Sequence, residues 1–218
     1  MKNLNATSFF NYASQFISVI AHPLFIPLYS TWILFNSNNY LSYAVSPKLQ
    51  DFLYLLIFIL TYVIPAGLTW ILWQKGWVSS LELENKKERA LPLFLTLCCY
   101  IVSIYFLILL PIPRILGLTM IGASLALLIT ILINFRWKIS MHMIGAGGIF
   151  GLFYAFGRYF HFPSLQAVLF ISVVSGLIAA ARLYRGAHSP AQLYVGFGVG
   201  FLLEFGFIYF FAPFIIGR

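Results

Sequence analysis

Seven apolar runs dominate the chain: 13–36, 52–73, 91–110, 115–134, 141–157, 165–181 and 191–213. A helix needs roughly 17 to 25 residues to cross the hydrocarbon core of a bilayer. No water there satisfies free N–H and C=O groups, so each run has to be helical. Composition points the same way. Of 218 residues, 13 are Lys or Arg and 5 are Asp or Glu, whereas 61% are hydrophobic. A soluble core of this length cannot use that much apolar surface, because a soluble chain must cover itself in polar groups. A soluble enzyme, a disordered chain and a disulfide scaffold are thereby excluded. The expected fold class is all-α: a polytopic integral membrane helix bundle with about seven transmembrane helices, or six if one is re-entrant. The length allows a single transmembrane domain over residues 1–218.

Pro23 and Pro27 should kink the first run, and Pro65 the second. Gly147 with Gly151, and Gly196 with Gly200, have the spacing that lets two helix backbones touch. Cys98 and Cys99 are adjacent inside an apolar run, where a disulfide between them is not expected. The N-terminal stretch carries one Lys2 and no small-residue cleavage pattern, and reads as a retained segment. Trp70, Trp73, Trp77 and Trp137 fit an interfacial aromatic belt.

The net charge of +8 is spread over short loops between apolar runs. Such bases meet lipid headgroups or an anionic group bound within the membrane, rather than nucleic acid. Counting spans places them. Loops 74–90, 135–140 and 182–190 each follow an even-numbered run, so all three lie on one face. That face gathers Lys75, Lys86, Lys87, Arg89, Arg136, Lys138, Arg182 and Arg185, with His142 and His188 beside them. The other face has Lys48, Arg114, Arg158, Arg218 and His161.

Together the three loops offer cations that hold phosphate by charge and forked hydrogen bonds, and two histidines able to divide nucleophile and general acid. Ser189-Pro190 is a helix-start signal, Ser at the N-cap and Pro at the first helical position. His188 then lies just before a helix N-terminus, where the dipole favours an anion. Gln192, four residues on, is within reach of an imidazole nitrogen. Ser140 is expected to cap the fifth span in the same way, with His142 in its first turn.

Here the residues reach a resemblance. Arg182-x5-His188-x3-Gln192 resembles the third signature of the type 2 phosphatidic acid phosphatase family, Ser-Arg-x5-His-x3-Asp. Ser140-Met141-His142 is similar to the end of its second, Pro-Ser-Gly-His, and Arg89 with Lys86 or Lys87 and Pro92 to a degraded form of its first, Lys-x6-Arg-Pro. The order and the two-span separation fit over about residues 82–213, the phosphatase-like core. The resemblance implies a metal-independent phosphatase, without a cofactor, acting on a lipid phosphate or prenyl pyrophosphate. In that scheme His188 attacks phosphorus to form a phosphohistidine and His142 protonates the leaving oxygen. Arg89, Ser140 and Arg182 hold the phosphoryl oxygens, helped by Lys86, Lys87 or Lys138. It further implies a bacterial inner membrane with an extracytoplasmic site.

The departures are specific. Gln192 stands where the family has Asp; an amide fixes the histidine tautomer but does not stabilise an imidazolium. Ile139 and Met141 replace the Pro and Gly of the second signature, and Ala181 the Ser of the third. Counting back from Arg89, the lysine position is Glu82. A non-catalytic lipid-phosphate binder or transporter is the alternative, and a lipid phosphotransferase a third.

Other residues have plainer expectations. Lys75, Arg136 and Arg185 should snorkel to the membrane surface. Glu82, Glu84 and Glu88 should pair with Lys86, Lys87 and Arg89, unless one supplies the carboxylate absent at 192. His22 is an intramembrane histidine, either functional or patching the proline kink. Glu204, 16 residues from His188 and roughly 24 Å along a helix, should make a helix-to-helix hydrogen bond. The positive-inside rule does not orient the chain. Counting Lys2 gives nine bases against four, but four against four once Lys86, Lys87, Arg89, Lys138 and Arg182 are set aside as phosphate ligands.

Overall fold

The computed structural model describes residues 2–37, 39–83, 85–160 and 164–216, with side chains over 8–37, 39–83, 85–159 and 165–214. Glu84, His161 and Arg218 lie outside the described residues, as does the side chain of Lys2. Among the described residues the fold is all helix. In chain order the α-helices are α1 (Lys2–Ile20), α2 (Ile26–Asn36), α3 (Tyr40–Ala44), α4 (Pro47–Phe58), α5 (Ile64–Gln74), α6 (Ala90–Leu109), α7 (Ile115–Arg136), α8 (Met141–Phe160), α9 (Ser164–Tyr184) and α10 (Pro190–Ile216).

Prolines shape the first two membrane segments in different ways. In the first they separate two helices instead of kinking one. Pro23 opens a 3-10 turn, Pro23–Phe25, and Pro27 lies in the first turn of α2, where a missing N–H leaves no bond unmade. His22 Nδ1 accepts the Leu24 N–H at 3.3 Å and caps the turn. In the second segment the helix stays continuous. Pro65 has no N–H for the carbonyl four residues back, and the chain widens ahead of it into a π-helical turn, Ile59–Val63. The Thr61 hydroxyl from that turn donates to Leu24 O at 3.4 Å, fastening the two irregular stretches together.

Six stretches are long and apolar enough to cross a membrane: Ser8–Asn36, Pro47–Gln74, Lys86–Leu109, Ile115–Arg136, Leu165–Tyr184 and Pro190–Phe214. The chain is an integral membrane protein whose helices face a lipid bilayer. The fifth expected span is α8, which at 20 residues reaches about 30 Å but is too rich in glycine and polar groups to match the other six. Its position explains this. It packs on α10, α9, α7 and α2, so neighbouring helices rather than lipid cover much of it. Leu152, Phe153, Ala155 and Phe156 are almost wholly enclosed and belong to the main core with Leu34, Leu53, Ile115 and Ile208.

The α8–α10 contact is made backbone to backbone. A Cβ at Gly147 would overlap Phe197 O, one at Gly151 would lie 2.6 Å from Phe201 O, and one at Gly200 would overlap Ile144 O. Both expected glycine pairs therefore face each other across one seam. Cys98 and Cys99 are both free.

The three loops assigned to one face meet physically. Lys86 Nζ donates to Arg136 O at 3.3 Å, Asn134 Nδ2 to Lys86 O at 2.7 Å, and Arg89 Nη1 to Ile139 O at 3.3 Å. Arg185 donates to both carboxylate oxygens of Glu82 at 2.9 Å.

Candidate functional site

The Arg182-to-His188 spacing is built from two helix ends. α9 stops in a turn where the Gly186 N–H donates to Leu183 O at 2.9 Å and the Ala187 N–H to Arg182 O at 3.1 Å. Gly186 sits at φ +61°, the left-handed conformation that ends helices and that glycine adopts without a Cβ clash. Arg182 thus occupies the last turn of one helix. Two residues beyond Gly186, His188 precedes the next.

α10 opens with a reciprocal cap. The Ser189 N–H donates to Gln192 Oε1 at 3.1 Å and the Gln192 N–H to Ser189 Oγ at 3.4 Å. His188 Nδ1 lies 3.1 Å from the same Oε1. A backbone N–H can only donate, so the Gln192 atom is the oxygen and Nδ1 carries the proton. Nε2 of His188 is left with its lone pair.

His142 lies in the first turn of α8 and its Nε2 is 3.0 Å from Ser18 O. A carbonyl only accepts, so here Nε2 carries the proton and Nδ1 the lone pair. Ser18 serves twice: its hydroxyl donates to Ser14 O at 2.8 Å and accepts from Arg182 Nη1 at 3.4 Å. Arg89 is held by two loop carbonyls, Nε to Leu83 O at 2.5 Å and Nη1 to Ile139 O. Leu83 has φ +50°, a strained setting for a side chain with a Cβ, and its carbonyl is the one that fixes the guanidinium.

Arg89, His142, Arg182 and His188 are all buried, and all line one cavity of about 630 Å³. It reaches the surface at the Arg185–Glu82 pair, whose side chains are 24% and 51% exposed. From there it passes Thr96, Tyr100 and Leu152 towards Glu204. The walls are mostly apolar, which raises the worth of each charge they enclose. Burial lowers the His188 pKa from 6.5 to about 4; the Gln192 hydrogen bond opposes this, and the charges of Arg182, Arg89 and Lys138 add to it. His188 is accordingly neutral at neutral pH.

Five of the expected site residues stand off the cavity wall. Gln192 touches the site only through His188. Lys86 and Lys87 are exposed, with Lys86 turned to Arg136 O. Lys138 is half-buried and acts on His188 through its charge. Ser140 does not cap α8: its hydroxyl is fully buried and has no hydrogen-bond partner among the described residues, while its backbone carbonyl lies against Gly196 of α10.

The acidic loop also differs from expectation. Glu82 pairs with Arg185, which therefore lines the cavity mouth instead of snorkelling. Glu88 accepts from the Ser79 N–H at 2.6 Å, the Ser79 hydroxyl at 2.8 Å and Asn85 Nδ2 at 2.8 Å, so it organises its own loop. Neither supplies a carboxylate to His188. Glu204 makes no hydrogen bond among the described residues; its carboxyl packs on Gly122 of α7 and lines the cavity.

Two residues of the first segment join the site without having been assigned to it. Ser18 bridges His142 and Arg182. His22 lines the cavity with its ring centroid 5.9 Å from that of His142 and the planes at 79°. A serine in an apolar helix carries no signal of this kind; His22 did carry one, as a titratable group inside a membrane span. No family model, curated protein or solved structure matches the chain.

Proposed function

We propose that the protein is a metal-independent membrane phosphatase that hydrolyses a lipid-linked phosphate monoester or pyrophosphate through a phosphohistidine. The observation that carries this reading is the convergence of His188, His142, Arg182 and Arg89 on one largely apolar cavity. The lone pair of His188 Nε2 attacks phosphorus. The bond to the lipid oxygen breaks, and that oxygen takes its proton from Nδ1 of His142, which enters the step as the doubly protonated imidazolium and leaves it neutral, Nε2 staying on Ser18 O. Water then attacks the phosphohistidine, giving its proton to His142 and releasing orthophosphate and His188. Arg182 and Arg89 carry the charge that spreads over the phosphoryl oxygens, a task of positioning and electrostatics. Phosphatidic acid, phosphatidylglycerol phosphate and undecaprenyl pyrophosphate are the substrate types that fit. A bacterial inner membrane and an extracytoplasmic site belong to the same proposal, through the motif resemblance.

The test is orthophosphate release by purified protein from those three lipids, with a chelator present. Release that disappears in His188→Ala supports the reading. No release from any of them, or equal release from His188→Ala, overturns it. Gln192 favours a second reading, a lipid-phosphate binding protein without turnover, because its oxygen caps α10 and offers His188 no negative charge. That reading expects lipid-phosphate binding weakened by Arg182→Ala and no trappable phosphohistidine.

A further inference from the structure

Three histidine rings line the cavity, and their hydrogen bonds assign them different faces. His188 spends its proton on Gln192, and His142 spends its proton on Ser18 O. Each neutral ring therefore has only a lone pair left for a ligand. His22 is the reverse case. Its Nδ1 accepts the Leu24 N–H, and a backbone N–H cannot accept in return. The proton of the neutral ring is therefore on Nε2, on the edge turned away from its own backbone. Of the three rings, His22 alone offers an N–H.

A phosphoryl group presents three acceptor oxygens. The cavity wall meets them with the two guanidinium groups of Arg89 and Arg182. The motif resemblance supplies a neutral donor as Ser140, and that hydroxyl is buried away from the cavity. His22 lines the same cavity. The first membrane segment is broken at Ala21–Phe25, and at this break the His22 ring lies beside that of His142, 5.9 Å between centroids.

We propose that His22 is a phosphoryl-binding residue, donating a hydrogen bond from Nε2 to an oxygen of the group held between Arg89 and Arg182. A neutral donor suits this place. It adds hydrogen bonding without a third positive charge beside His142, which has to exchange a proton. The proposal rests on the reading of the cavity as a phosphoryl site, but not on turnover.

The test compares wild type with His22→Asn and His22→Gln in detergent, measuring binding of phosphatidic acid and of inorganic orthophosphate, with thermal stability read alongside. Asn keeps an acceptor near the position of Nδ1 and loses the distal donor; Gln places an amide N–H₂ nearer the position of Nε2. The expected result is about tenfold weaker binding of both ligands by His22→Asn, partial recovery in His22→Gln, and unchanged melting of both variants. Equal binding by wild type and His22→Asn overturns the proposal. Weakening for phosphatidic acid but not orthophosphate also overturns it, since the contact would then lie on the glycerol or acyl part. Wild type binding neither ligand would remove the phosphoryl site altogether. Binding without orthophosphate release removes the phosphatase reading and leaves His22 to be judged by the variants.

Discussion

Gln192 Oε1 accepts hydrogen bonds from both His188 Nδ1 and the Ser189 N–H, at 3.1 Å each, so one amide oxygen caps α10 and fixes the tautomer of His188. The histidine is oriented by the same bond pattern that starts the helix. Its orientation and the helix start cannot be varied independently.

Replacing Gln192 by Asp keeps an acceptor beside Nδ1 and adds a negative charge to stabilise the imidazolium. If His188 is the nucleophile, Gln192→Asp should raise the rate of orthophosphate release. Gln192→Leu should lower it and cost about 1 kcal/mol through the lost cap. Rates from the two variants, with melting curves, check this; a slower Asp variant with intact melting counts against the nucleophile assignment.

The depressed pKa of His188 gives a signed pH dependence. The folded value is about 4 and the ordinary value 6.5. Above pH 6.5 neither folded nor unfolded chain binds the proton. Between pH 6.5 and 4 the unfolded chain binds it first, so the fold loses stability as pH falls through that window. Melting at pH 7 and pH 5 should show a smaller acid-induced drop in His188→Gln than in wild type. Equal drops would mean that His188 titrates normally.

The glycine seam separates two similar substitutions. Gly200→Ala would force a methyl group into the Ile144 carbonyl and should destabilise by about 1–3 kcal/mol or more. Gly198→Ala, two residues away, meets nothing within 4 Å and should be neutral or stabilising by up to about 1 kcal/mol. Thermal unfolding of the pair in one detergent decides the matter, and equal effects would contradict the packing.

Glu204 is buried on Gly122 with no hydrogen bond among the described residues. Removing a buried polar group that has no partner relieves a desolvation cost. Glu204→Met, close in volume, should therefore melt at or above the wild-type temperature. A marked fall would reveal a partner bound from outside the chain.

Much of this arrangement is legible from the order of residues. Run length fixes the helices, and parity brings 74–90, 135–140 and 182–190 together, as the Lys86–Arg136, Arg89–Ile139 and Arg185–Glu82 contacts bear out. Local rules also find the cap at Ser189 and the glycine seam. What escapes is tertiary. The His142–Ser18 bond joins residues 124 apart, and nothing near Ser18 marks it. Ser140 shows the opposite failure: its neighbours in sequence point to the site, yet its hydroxyl is buried off the cavity wall in the packing of α8 on α10. Pairing rules for neighbouring charges likewise misplace Glu82, whose partner lies 103 residues on.

The glycine seam also bears on how the histidines are carried. His142 lies in the first turn of α8, His188 lies two residues before α10 starts, and along the glycine seam the two helices approach main chain to main chain. The pair carries both imidazoles at one end, so backbone contact sets the distance between the two helix starts. His22 stands outside this pair, at the interruption between α1 and α2. A ligand in the cavity would therefore meet two histidines whose spacing the seam dictates and a third, His22, carried by a separate segment.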